Sequence, residues 1–194
     1  MTRPLAIACA LALLGTLAPP AAADPAVPMQ GARSQERLLL PDIPVTDSHG
    51  RTRGFVSRYG GAGPVLISFL YTNCTENCGM TISVLGLVDQ DLQARDAPPL
   101  RLVAISVDPR RDTPEVLAEV ARSAWASEKW DWVVASPGDT PALLAAFGLD
   151  PGPIEAHDSV YLLGDLQSGL FTRISGVPDP AELVALARQM APAE

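Results

Sequence analysis

Apolar positions along this chain change rhythm several times, and each change predicts an element. From Val65 to Leu70 every residue except Ser68 is β-branched, aromatic or leucine. A run that short, without alternation, predicts a strand buried on both faces. After Cys78 the period lengthens, with Met80, Val84, Leu87, Val88 and Leu92 at helical spacing, which predicts an amphipathic helix bearing those residues on its inner face. Pro98 and Pro99 break that pattern, and Leu100 to Asp108 forms a second apolar run. A helical crossover between the two runs makes these strands parallel. Asp112-Thr113-Pro114-Glu115 then opens a helix through Val116, Leu117, Val120 and Ala124, supplying a capping side chain, a first-turn proline and an acid near the positive helix end. The same device recurs at Asp139-Thr140-Pro141, stopped by Gly148, and at Asp179-Pro180 ahead of Leu183, Leu186 and Met190. Trp132 to Ala135 reads as a short strand, and Ser159 to Leu163 pairs with Gly169 to Ile174 as a hairpin turning at Asp165 to Ser168.

Ahead of the first buried run, the turn residues within Val45 to Arg51 predict a tight hairpin of short strands leading to Phe55. The order strand, helix, strand, helix, strand, helix, hairpin, helix fits an α/β fold: a thioredoxin-like three-layer sandwich with a central mixed sheet and an N-terminal hairpin extension. Arg3 followed by an apolar run to Leu17, then Ala21-Ala22-Ala23, reads as a secretory signal peptide over residues 1–23 that is cut before Asp24. Cys9 leaves with it. An uncleaved segment would serve as a membrane anchor instead, although the run is short for a span. Residues 24–36 carry no apolar period and read as a flexible leader, with order beginning near Leu38 and one domain over 37–194.

Composition narrows the function classes. The chain is 47% hydrophobic and 19% charged, as in globular proteins, and its formal net charge of −8 argues against nucleic acid or an anionic membrane surface as partner. Of three cysteines, only Cys74 and Cys78 outlast processing. A pair so close in sequence closes almost no loop, so it is poorly explained as a stabilising staple. Separated by four positions, the two sulfurs reach the same side of a helical turn, which permits dithiol redox chemistry or the binding of a soft metal. A disulfide at that spacing requires Cys74 to stand in the loop before the first turn.

Two histidines exist. His49 falls in the predicted hairpin turn, where solvent exposure is the ordinary outcome. His157 precedes the strand at Ser159; in a thioredoxin-type sheet the loop ahead of that strand lies near the cysteines, so the imidazole completes a site of two sulfurs and one nitrogen, or else merely caps a strand end. Zinc is the runner-up metal, with Glu155 or Asp158 as an oxygen donor.

Three stretches carry a family resemblance. Phe69-Leu70-Tyr71-Thr72-Asn73-Cys74-Thr75-Glu76-Asn77-Cys78, Ile105-Ser106-Val107-Asp108-Pro109-Arg110-Arg111-Asp112-Thr113-Pro114, and His157 ahead of Tyr161-Leu162 together resemble the Sco/SenC copper chaperones of the thioredoxin superfamily. Thr75 and Gly79 stand where that family often has proline. The resemblance implies a periplasmic protein with copper, Cu(I) or Cu(II), held by Cys74, Cys78 and His157. It also implies a partner in the copper subunit of cytochrome c oxidase or in another copper chaperone. Two other classes stay open: a thiol-disulfide oxidoreductase working through a Cys74–Cys78 disulfide to keep a partner's copper-binding cysteines reduced, and a peroxidase. Arg110 and Arg111 read as a solvated loop rather than a docking pair, and Asp108 as a strand-end cap rather than a group supporting the site.

Overall fold

The computed structural model describes residues 32–74, 78–150 and 159–190. The first apolar run builds β4 (Val65–Leu70), whose side chains alternate between two cores. Leu66 and Leu70 face one helical layer, while Val65 and Ile67 face the other. Both sides are apolar because both are covered, which is why the sequence shows a continuous run rather than an alternation.

Beside β4 lie β5 (Arg101–Ser106) and β6 (Trp130–Ala135), all parallel. On its other side β7 (Val160–Asp165) runs antiparallel to β4 and forms the expected hairpin with β8 (Leu170–Ser175). The hairpin of β2 (Pro44–Asp47) and β3 (Thr52–Gly54) pairs antiparallel with β6, and β1 (Ala32–Arg37) adds to β8. The eight strands form one mixed sheet in the order β1-β8-β7-β4-β5-β6-β2-β3.

One face carries α2 (Cys78–Asp91), α3 (Pro114–Ser123) and α5 (Pro180–Met190), packed over Leu66, Leu102, Trp132 and Leu163. The other carries α1 (Phe55–Tyr59) and α4 (Thr140–Ala146), where Phe55 and Phe69 meet the Phe147 ring at 5.4 and 5.2 Å. The three-layer mixed sandwich expected from the element order is thus the one observed. No described helix is long and apolar enough to cross a membrane.

Three details differ from the reading of the sequence. Residues 32–36, expected to belong to the leader, form most of the edge strand β1. That strand is held by backbone pairing to β8 and by the ion pairs of Arg33 with Glu182 and of Glu36 with Arg173, and it buries little apolar surface, so it leaves no hydrophobic pattern. Short α1 has no predicted counterpart. The inner stripe of α2 is Thr81, Val84, Leu85, Val88 and Asp89, while Met80 and Leu87 are 49% and 54% exposed. Polar Asp89 can turn inward because it accepts from the amide and hydroxyl of Ser127 at 2.9 and 2.6 Å. Buried polar groups are tolerated where they are paired.

Candidate metal and thiol site

The cysteines lie at the carboxyl end of β4, where α/β sheets commonly bind ligands. After Leu70 the chain passes through Tyr71, Thr72 and Asn73 to Cys74, and α2 begins at Cys78. Cys74 therefore stands ahead of the helix, as its spacing required. The two sulfurs are joined, with Cα atoms 5.8 Å apart, and both residues are half-buried. The Cys78 amide donates to the Cys74 sulfur at 3.3 Å. An amide at the amino end of a 14-residue helix therefore faces the Cys74 sulfur.

A buried carboxylate anchors the loop that delivers Cys74. Asp112 is 1% exposed and accepts from the Thr72 amide at 3.1 Å, from the Thr72 hydroxyl at 2.5 Å and from the Ser106 hydroxyl at 2.6 Å. Ser106 Oγ in turn accepts from the Asp108 amide at 3.1 Å, and the Asp112 amide donates to the Asp108 carbonyl at 2.9 Å. The sequence suggests only a helix cap in this stretch. The cap is Thr113, whose hydroxyl accepts from the Val116 amide, and this frees Asp112 to turn inward. The available signal was the redundancy of two capping side chains ahead of Pro114. Asp108 is buried and pairs with Arg111 at 2.7 Å, whereas Arg110 is exposed.

His157, Glu155 and Asp158 lie outside the described residues. Among the described residues, no group of three histidine, cysteine or acidic side chains is arranged to hold a metal ion. His49 is exposed in the β2–β3 turn, near the amino end of β6, at the pole of the sheet opposite the cysteines. The first described residue after His157 is Ser159, whose hydroxyl meets that of Thr81 in α2 at 3.4 Å. Because β7 is antiparallel to β4, with Tyr161 opposite Ser68, its first residues lie at the cysteine end. Tyr161 is fully buried below this contact, and burial raises its phenol pKa.

Among solved structures the chain is similar to BsSco, a member of the Sco family of cytochrome c oxidase assembly proteins in which a disulfide switch was identified. The two share 20% identity over 81% of this chain and 95% of that one, with a TM-score of 0.68. It is similar also to Bradyrhizobium japonicum ScoI with copper bound, at 21% identity over 83% and 99% and a TM-score of 0.60. Yeast Sco1 with copper bound shares 20% identity over 86% and 98%, with a TM-score of 0.62. At these identities the likeness speaks for the fold. No curated protein matches the sequence. The SCO1/SenC family model matches residues 42–147, ending before His157. That span covers more than half of the chain and holds Cys74, Cys78 and Asp112, so the chain belongs to the SCO1/SenC family.

Proposed function

We propose that this protein carries copper through Cys74, Cys78 and His157 and delivers it during assembly of the copper centre of cytochrome c oxidase. The observation that carries the reading is the contact between Thr81 and Ser159. Thr81 lies one helical turn beyond Cys78, and Ser159 lies two residues beyond His157. Two residues of chain span at most roughly 7 Å, and so short a tether to Ser159 supports His157 as the third ligand. Two thiolates and an imidazole are a soft donor set of low coordination, suited to Cu(I). Copper bound in two of the similar structures, and the assembly role named for a third, support the same reading.

The cargo requires reduced thiols, so loading is coupled to redox state. The delivery partner is the copper subunit of the oxidase or another copper chaperone, and the protein works in the periplasm after loss of residues 1–23. A SCO1/SenC family lipoprotein of Bacillus anthracis among the similar structures supports an extracytoplasmic site of action.

Titration of the reduced protein with Cu(I) against a competing chelator tests the proposal. One ion per chain is expected, with binding abolished in Cys74→Ser and Cys78→Ser, weakened at least about tenfold in His157→Ala, and unchanged in His49→Ala. Equal affinity in His157→Ala would remove that ligand; an unmodified protein that binds no copper would remove the carrier function. A second reading, thiol-disulfide exchange on a partner's copper-binding cysteines, is favoured by the Cys78 amide on the Cys74 sulfur, which supports Cys74 as the attacking thiolate.

A further inference from the structure

We infer that Asp112 is a positioning residue for the cysteine pair: its buried carboxylate clamps Thr72 and so fixes where Cys74 stands relative to Cys78. The inference rests on reading the two cysteines as a working dithiol and is independent of copper. Three features carry it. First, the carboxylate takes both the amide and the hydroxyl of Thr72, two residues before Cys74, across 40 positions of sequence. Second, Oδ2, which takes the Thr72 amide, also accepts from the hydroxyl of Ser106, the residue registered opposite Leu70 where β4 and β5 end, so the clamp is seated on the two central strands. Third, Thr113 caps α3 itself, so Asp112 is not needed to start that helix.

The consequence is chemical. Cys78 is fixed as the first residue of α2, whereas Cys74 belongs to a loop whose freedom is limited by whatever grips Thr72. Holding two reacting groups at closing distance raises their effective concentration, and loosening one of them lowers it. In the relevant exchange, the Cys74 and Cys78 thiols are oxidised to one disulfide. One molecule of oxidised glutathione is reduced to two of glutathione, which take up both protons.

The test is the equilibrium constant of that exchange in metal-free, full-length protein. Asp112→Asn keeps the side-chain volume but presents a donor to one of the two hydroxyls that now donate to it. We expect the constant to fall about tenfold, a rise of roughly 30 mV in the reduction potential. Thr113→Ala, which removes the neighbouring cap, should leave the constant within about twofold of the unmodified protein. Ser106→Ala and Thr72→Val each remove one hydroxyl donor and should lower it about threefold; they decide the matter if Asp112→Asn does not fold. Unchanged constants in the folded clamp variants, or an equal fall in Thr113→Ala, would overturn the inference while leaving the copper reading intact. An unmodified protein that forms no disulfide overturns it together with the thiol-exchange reading.

Discussion

Two aspartates are buried to 1% exposure at opposite ends of this sheet, and they are satisfied differently. At the β2–β3 hairpin, Asp47 pairs with Arg51 at 2.8 Å and with Arg58, and takes the amides of His49 and Arg51, both at 2.9 Å. Burial pushes its carboxyl up; the Arg51 amide and the Arg58 and Arg51 guanidiniums outweigh that and bring it to about 2. Asp112 at the cysteine end is held by two hydroxyls and an amide. The difference separates two uses of a buried charge. Asp47 ties a hairpin to a helix through cations and works for stability, whereas Asp112 grips the loop that leads to Cys74.

The comparison can be broken most easily at its stable end. Asp47→Ala leaves Arg58, whose side chain is 13% exposed, with the more distant Asp131 at 3.9 Å as its remaining carboxylate partner among the described residues. A loss of about 3 kcal/mol is expected, read as a lower urea midpoint with little effect on thiol exchange. Acid acts on the same residue. With a folded value of about 2 against an ordinary 3.8, the Asp47 contribution is complete above pH ~4 and disappears as pH falls from 3.8 towards 2. About 2 kcal/mol should be lost across that window, and Asp47→Asn should flatten this part of the profile.

Smaller effects sharpen the contrast. Thr113→Ala should cost about 1 kcal/mol through loss of the α3 cap, measured by chemical unfolding, with the cysteine chemistry untouched. At the far end of α3, Trp125 adopts φ 56° and is 88% exposed. The turn there closes through Trp125 N–H to Arg122 and Ala126 N–H to Ala121, a helix stop that favours glycine. Trp125→Gly should therefore stabilise the protein by roughly 0.5 to 1 kcal/mol, read as a raised melting temperature.

Legibility differed just as sharply between elements. The β4 run, the proline-marked starts of α3, α4 and α5 and the β7–β8 hairpin could be read because each depends on local burial or local turn chemistry. Of the stripe expected along α2, Val84, Val88 and Leu92 are buried, but Met80 and Leu87 face outward, and Thr81 and Asp89 turn inward against partners 78 and 38 positions away. Strand β1 went unread because an edge strand held by backbone bonds and ion pairs needs no apolar side chains.

By itself, the order of residues determined the three-layer architecture, the place of Cys74 and Cys78 at a strand-to-helix junction, and the membership that those motifs suggested. The architecture and the place of the cysteines follow from periodicity and short-range spacing, while the membership came from the motifs' resemblance to a known family. Only the tertiary structure decided that Asp112 serves the cysteine loop instead of the helix it precedes, and that Ser159 meets the cysteine helix at Thr81. Hydrogen bonds between residues 40 and 78 positions apart depend on strand order and register, and those are settled only when the sheet has closed.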